Sequence, residues 1–149
     1  MLIPLFLCFG FMLAVLYIDI AFDLSALPYR KDKASLPEEV LYSITNYYRR
    51  ITSNPWLLVF VMTTTATCII WEIVYILVPP RIGYCSLTLF VAVMLISMFK
   101  VIPAAQRLGS GKESHEEQVR LVHSLFPYHV MILIGIISLT LLQFSTVRN

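Results

Sequence analysis

Four long apolar runs dominate the sequence, and each is long enough to cross a lipid bilayer. They lie at Leu2–Phe22, Trp56–Val78, Ile82–Ile102 and Pro127–Thr146. A bilayer crossing takes about 20 predominantly apolar residues. Because backbone groups within lipid must hydrogen-bond internally, such runs form helices. The pattern predicts an all-α membrane protein with one four-helix transmembrane domain over residues 1–149.

The second and third apolar runs are joined by the short, proline-rich segment Val78–Gly83. A connection this short predicts that the two spans are antiparallel neighbours. We therefore expect an antiparallel four-transmembrane-helix bundle.

The two longer connections carry amphipathic patterns of their own. Ser35 and Glu38 have capping-box spacing, and apolar residues then recur at helical intervals, namely Val40, Leu41, Ile44, Tyr47, Tyr48 and Ile51. After a flexible turn at Gly109–Gly111, Ser114 and Glu117 repeat the spacing, and apolar residues again follow, namely Val119, Val122, Leu125 and Phe126. We expect two amphipathic surface helices, with Pro127 opening the fourth span as a kink or as a fresh start.

Composition and charge support a membrane protein and orient it. The chain is 58% hydrophobic and only 13% charged, too apolar for a soluble domain of this size. Nine basic residues flank the two long connections, namely Arg30, Lys31, Lys33, Arg49, Arg50, Lys100, Arg107, Lys112 and Arg120, and only Arg81 and Arg148 lie on the other side. This bias puts the long connections in the cytoplasm and both termini in the extracytoplasmic space or a lumen. The basic residues mark topology and do not indicate nucleic-acid binding.

Two further features narrow the class of protein. The first apolar run has no basic residue near its start and exceeds the length of a signal-peptide core, so we expect a retained helix. The three cysteines lie within spans and form no Cys-x-x-Cys motif. This argues against a quinone-linked thiol oxidoreductase of the DsbB or vitamin K epoxide reductase type.

Two carboxylates, Asp19 and Asp23, interrupt the end of the first span on one helix face. An ionisable group at a membrane centre costs about 2.5–3.5 kcal/mol, so it usually has a partner or a function. Counting residues along each helix puts polar groups from the other spans at the same cytoplasmic level, namely Arg49, Arg50, Asn54, Lys100, Gln106, His123 and His129.

Two interpretations of this cluster stay open. In the first, the carboxylates pair with Lys or Arg and only anchor the helices. In the second, the cluster lines a polar pocket for a lipophilic small molecule, and Asp19, Asp23 or His129 transfers a proton. The substrate-binding candidates are then Arg49, Arg50, Asn54, Lys100, Gln106 and His123.

A metal site is a narrower form of the second interpretation. Asp19, Asp23, His123 and His129 have acceptable ligand chemistry. However, the spacing of His123 and His129 does not put both rings on one helix face unless Pro127 breaks the helix. The sequence therefore predicts no metal site and leaves any cofactor unknown.

Glu72 and Gln143 are polar residues at similar depth in the second and fourth spans. We expect an interhelical hydrogen bond between them, which would remove most of the cost of burying Glu72. The alternative is a proton or ion path through Glu72.

The segment Arg50–Asn54 is similar to the Arg-x-x-x-Asn element of the MAPEG family, small four-helix membrane enzymes that use glutathione on lipophilic substrates. The resemblance implies glutathione near Arg50 and Asn54. It covers only these residues, and the acidic residue that the family places three positions after the Asn is Leu57 here.

Three functions remain open from the sequence. The first is binding or conversion of a lipophilic small molecule at the cytoplasmic boundary. The second is a non-catalytic accessory subunit of a membrane complex, or a homo-oligomer, that packs through exposed faces such as that of Gly10 and Ala14. The third is a transporter, which would require oligomerisation.

Overall fold

The computed structural model describes residues 2–29 and 36–147, and every regular element in these ranges is helical. The elements are α1 (Leu2–Ala26) with a 3₁₀ turn (Leu27–Tyr29), α2 (Glu38–Ser53), α3 (Trp56–Val74), α4 (Pro80–Ile96), a π-helical segment (Ser97–Val101), α5 (Ile102–Ser110) and α6 (His115–Val147). The predicted cap residue Ser35 and the basic residues Arg30, Lys31, Lys33 and Arg148 lie outside the described ranges.

Four helical stretches in the described residues are long and apolar enough to cross a membrane. They are Ile3–Tyr29, Trp56–Val74, Pro80–Ser110 and His115–Ser145. The prediction of an all-helical protein with four candidate spans is thus confirmed for the described part of the chain. The exact bounds differ, because the third and fourth stretches extend well beyond their apolar runs.

The predicted second surface helix is not a separate element. Residues 115–126 form the first turns of α6, which continues through Pro127. The Ser114 hydroxyl accepts a hydrogen bond from the Glu117 amide at 3.4 Å, so the capping pattern marks the start of α6 itself. Proline removes one backbone hydrogen bond from a helix, and a packed membrane helix tolerates that loss.

The turn predicted at Gly109–Gly111 begins later than expected. Gly109 and Ser110 belong to α5, and the helix ends at Gly111 with a φ of 65°. A Cβ on Gly109 would lie 2.9 Å from the backbone nitrogen of Arg49. Gly109 is therefore the close contact between α5 and α2, which explains a glycine within this helix.

Within the described part of the chain, two apolar clusters form the core. The first lies within the bundle and includes Phe9, Leu16, Phe90, Ile132 and Leu139. The second joins the end of α1 to α2, α5 and the start of α6, and it includes Ala26, Ile44, Tyr48, Leu108 and Leu125. On α1 the two carboxylates fall between Leu16 and Ala26, and on α6 His129 falls between Leu125 and Ile132. Polar groups from two helices thus lie at the junction of the two clusters.

Candidate functional site

Asp19 and Asp23 lie one turn apart on the buried face of α1. Their relative exposures are 7% and 2%. α1 packs against both α2 and α6. The carboxylates are therefore enclosed by side chains of two other helices, and the pairing of each decides whether its burial is tolerated.

Asp23 accepts hydrogen bonds from both neighbouring helices. The hydroxyl of Tyr48 on α2 donates to Oδ1 at 3.1 Å, and Nδ1 of His129 on α6 lies 2.6 Å from Oδ2. When Asp23 accepts from Nδ1 of a neutral imidazole, the lone pair of that ring is on Nε2. This contact fixes the orientation of the imidazole ring.

Asp19 is held in a similar way by Tyr47. The Tyr47 hydroxyl donates to Oδ1 of Asp19 at 2.6 Å. The Tyr47 ring stacks on Phe22 of α1 with centroids 4.2 Å apart and an interplanar angle of 18°. Aromatic packing therefore positions the hydroxyl at the carboxylate.

The environment keeps both tyrosines protonated. Burial, followed by the charge of Asp19, raises the pKa of Tyr47 above its ordinary value. Burial, followed by the charge of Asp23, raises the pKa of Tyr48 in the same direction. Since the protonated hydroxyl is the donor, both tyrosines supply hydrogen bonds to the carboxylates over the physiological pH range.

A cavity of about 270 Å³ lies beside this cluster, between α1, α2, α3, α6 and the α4–α5 segment. Its lining is mainly aliphatic and also includes polar residues, namely Asp19, Tyr48, Thr52, Asn54, Ser97, Gln106 and His129. Among the described residues, none hydrogen-bonds with the buried Nε2 of His129. A mostly apolar cavity with a few convergent polar groups is the usual form of a small-molecule site.

The exposure of the lining residues locates the mouth of the cavity. Ile51, Asn54, Leu57 and Gln106 line it and are exposed, whereas His129 and Asp19 are buried. The mouth therefore lies where the α2–α3 junction faces α5. Its rim combines apolar side chains with two amides.

The π-helical segment forms part of the cavity wall. Ser97 and Val101, the first and last residues of this segment, both line the cavity. An extra residue in a helical turn widens the helix locally and re-aims its side chains, and such turns are frequent at functional sites. The spacing of apolar residues in this span gave no sign of the irregularity.

The predicted substrate-binding residues divide into two groups. Asn54 and Gln106 line the cavity. Arg49, Arg50, Lys100 and His123 are not among the described residues that line it. The Arg49 guanidinium donates from Nε to the Gly109 carbonyl at 3.2 Å, which ties α2 to α5. Arg50 and Lys100 are exposed, and His123 is partly buried on α6.

Within the described ranges, the carboxylates bind tyrosine and histidine, and no lysine or arginine forms an ion pair with them. The ion pairs of Arg107 and Arg120 go to Glu113 and Glu117. The proposed metal ligands do not form a group either, since no three His, Cys, Asp or Glu of the described chain are close enough to hold a metal ion.

Glu72 and Gln143 belong to a second polar cluster away from the cavity. Both are buried, and the Gln143 side chain hydrogen-bonds with the carboxyl of Glu72. Gln143 also donates from Nε2 to the Ser86 hydroxyl at 3.0 Å. The cluster therefore joins α3, α4 and α6, and Ser86 is the member that the sequence did not reveal.

Tyr47 and Tyr48 are the site residues that sequence reasoning missed. Their positions match the apolar face of an amphipathic helix, and their rings do pack there. A tyrosine ring is apolar while its hydroxyl is polar, so the pattern alone did not show which carboxylate each would bind. The sequence signal for this pairing was two adjacent tyrosines on one helix together with two carboxylates spaced by one turn on another.

No family model, curated protein or solved structure matches the chain. The similarity to MAPEG enzymes stays confined to Arg50–Asn54, of which Asn54 lines the cavity and Arg50 does not.

Proposed function

We propose that this multi-pass membrane protein binds a lipophilic small molecule in the cavity, with His129 contacting its polar group. The observation that carries the proposal is that His129 lines an aliphatic cavity while its buried Nε2 has no hydrogen-bond partner among the described residues. A buried polar atom without a partner costs about 1–3 kcal/mol. A ligand that hydrogen-bonds to Nε2 removes this cost.

The Asp23–His129 pair also supports acid–base chemistry on the bound molecule. A carboxylate that accepts a hydrogen bond from Nδ1 leaves the lone pair of Nε2 free to accept a proton. Asp19 is a carboxyl group that also lines the cavity. In this proposal His129 removes a proton from the ligand and returns it, and Asp23 orients the ring.

The proposed topology is an antiparallel bundle with both termini extracytoplasmic or lumenal. The excess of Lys and Arg around the long connections supports this orientation. α2 then lies on the cytoplasmic surface, and the mouth of the cavity opens at the level of the cytoplasmic leaflet. A lipophilic ligand enters from there.

Cysteine labelling tests the orientation. Ser110 is exposed at the end of α5. In a background with Cys8, Cys68 and Cys85 replaced, Ser110→Cys should react with a membrane-impermeant maleimide only after the membrane is permeabilised. Labelling of intact cells or closed vesicles from the extracytoplasmic side contradicts the topology.

An accessory subunit is the second candidate function. Gly10 and Ala14 of α1 are exposed, and a Cβ on Gly10 would meet no atom within 4 Å. This leaves a narrow face on which another membrane helix could pack closely. Loss of a copurifying partner in Gly10→Leu, with the cavity ligand retained, is the result that favours this function.

Extraction of bound molecules tests the ligand proposal. Purified protein is extracted with organic solvent, and its small molecules are compared by mass spectrometry with those of Val15→Trp. Val15 lines the cavity, whereas Val91 is exposed on α4 and makes Val91→Trp the matched control. We expect one compound in wild type and Val91→Trp that Val15→Trp lacks. Identical extracts from all three contradict the proposal.

A further inference from the structure

The hydroxyl groups that line the cavity already donate their hydrogens within the protein, and this restricts which ligands can bind. Three hydroxyl groups belong to lining residues, and each donates its hydrogen to the protein. Tyr48 donates to Asp23 at 3.1 Å, Thr52 to the Tyr48 carbonyl at 2.7 Å, and Ser97 to the Val93 carbonyl at 2.9 Å. Each hydroxyl has one hydrogen, so only oxygen lone pairs remain for a ligand.

The ionisable groups of the lining are acceptors as well. The carboxyl of Asp19 receives the Tyr47 hydroxyl and offers further lone pairs. Nδ1 of His129 is occupied by Asp23, which leaves the lone pair of Nε2 in the neutral ring. Within residues 2–29 and 36–147, no lysine or arginine lines the cavity.

Among the described lining residues, side-chain donors that are free for a ligand lie only at the mouth. Asn54 and Gln106 carry amide groups that both donate and accept, and both side chains are exposed. Within the described lining, a ligand anion at the inner end would meet the acceptor oxygens of Asp19 with no lysine, arginine or free hydroxyl beside it. Lone pairs of an anion and of an acceptor repel each other, so this arrangement is unfavourable.

We infer that the ligand is a lipophilic molecule whose polar group donates a hydrogen bond and carries no negative charge. An alcohol, a phenol or an amine meets this description, whereas a fatty acid or a phosphate ester does not. The donor hydrogen points at His129 Nε2 or at Asp19, and the apolar part fills the aliphatic walls. This inference rests on the proposed function, because it names the chemistry of the molecule in the same cavity.

The choice also fits the chemistry proposed for His129. A hydroxyl that donates to Nε2 is already placed to transfer its proton to that nitrogen, and the O–H electron pair stays on oxygen. A carboxylate ligand has no such proton to give. Binding preference and acid–base role therefore depend on the same lone pair.

Three probes with one alkyl chain test the inference, namely dodecanol, dodecylamine and dodecanoate. Radiolabelled probe retained by immobilised protein in detergent is measured for wild type and for Val15→Trp, so that partition into micelles cancels in the comparison. We expect dodecanol or dodecylamine to be retained by wild type at least roughly tenfold more strongly than dodecanoate, the equivalent of one good charge-assisted hydrogen bond.

The outcomes separate the two proposals. Dodecanoate bound as strongly as the alcohol and the amine overturns the donor inference but leaves a lipophilic site in place. If wild type retains none of the three probes better than Val15→Trp does, the proposed function itself is overturned. A preference for the amine over the alcohol supports the inference and adds an ion pair with Asp19.

Substitutions of His129 and Asp19 test whether these two acceptors cause the preference for dodecanol over dodecanoate. His129→Phe removes the Nε2 lone pair, and the advantage of dodecanol over dodecanoate should fall to less than about threefold. Because His129→Phe leaves Asp23 short of a partner and risks misfolding, Asp19→Asn is the second variant. Its amide adds a donor at the inner end, so dodecanoate retention should rise. An unchanged preference in both folded variants contradicts the inference.

Discussion

At the scale of single residues, one carboxylate organises the site. Asp23 accepts from Tyr48 and His129, and these three side chains have relative exposures of 2%, 1% and 1%. Burial of this set is tolerated because each group satisfies another. The same contacts leave His129 with one oriented, unpartnered nitrogen.

Removing the Tyr48 hydroxyl should destabilise the fold measurably. Tyr48→Phe leaves Oδ1 of Asp23 without its donor, and we expect a loss of about 1–3 kcal/mol in the free energy of unfolding. Tyr42 lies on the same helix with a relative exposure of 69%, so Tyr42→Phe should change stability by less than about 0.5 kcal/mol. Denaturant unfolding in detergent measures both. Equal effects would show that the Tyr48 contact contributes nothing.

The tyrosines also predict an alkaline limit to stability. The pKa values of Tyr47 and Tyr48 are raised in the folded protein above the value of 10.0 for a free tyrosine, so the folded state holds these protons more tightly. The stability that these two protons contribute is fully present below the pKa of a free tyrosine, and it is lost as the pH rises above that value. The thermal midpoint should therefore fall more steeply above about pH 10 in wild type than in Tyr47→Phe/Tyr48→Phe. Parallel pH profiles contradict this.

The sequence predicted the position of this cluster better than it predicted the hydrogen-bond partners of the two carboxylates. Residue counting put Asp19, Asp23 and His129 at one level, because rise per residue in a helix is fixed. Pairing depends instead on how each helix is rotated about its axis, which apolar stripes define only coarsely. Asp19 and Asp23 therefore bind tyrosines and His129 in the described chain, where arginine or lysine was one expectation.

At the scale of elements, the apolar runs predicted the spans but not their ends. Hydrophobic length determines which residues can lie in lipid, and all four runs coincide with helices. The ends depend on local contacts that a hydropathy pattern does not contain. Pro127 lies inside α6, and the third span continues through the π-helical segment into α5.

The contact of α5 with α2 gives a test at this scale. A methyl group on Gly109 would lie 2.9 Å from the backbone nitrogen of Arg49, which cannot move without shifting α2. Gly109→Ala should therefore cost about 1–3 kcal/mol of stability. Gly10→Ala meets open space in the middle of α1, so it should leave stability unchanged or raise it by up to about 1 kcal/mol. A stabilising Gly109→Ala contradicts the packing described here.

At the scale of the whole molecule, two apolar clusters enclose a polar layer and a cavity. The bundle cluster supplies aliphatic walls, and Tyr48 and Ala105 of the cluster around α2 and α5 also line the cavity. On the charged surface near α5, Arg107 forms ion pairs with Glu113 and Glu117, and none of these three residues lines the cavity. This separation favours a site for a lipophilic molecule over a purely structural arrangement of charges.

Photo-crosslinking tests the central claim most directly. A diazirine amino acid is incorporated at Met62, which lines the cavity, or at Met131, which is 52% exposed on α6. After irradiation in native membranes, mass spectrometry of the labelled peptides identifies what each position contacts. A ligand-specific cavity predicts one defined small-molecule adduct at position 62 and a mixture of bulk membrane lipids at position 131. The same lipid mixture at both positions would contradict a ligand-specific cavity.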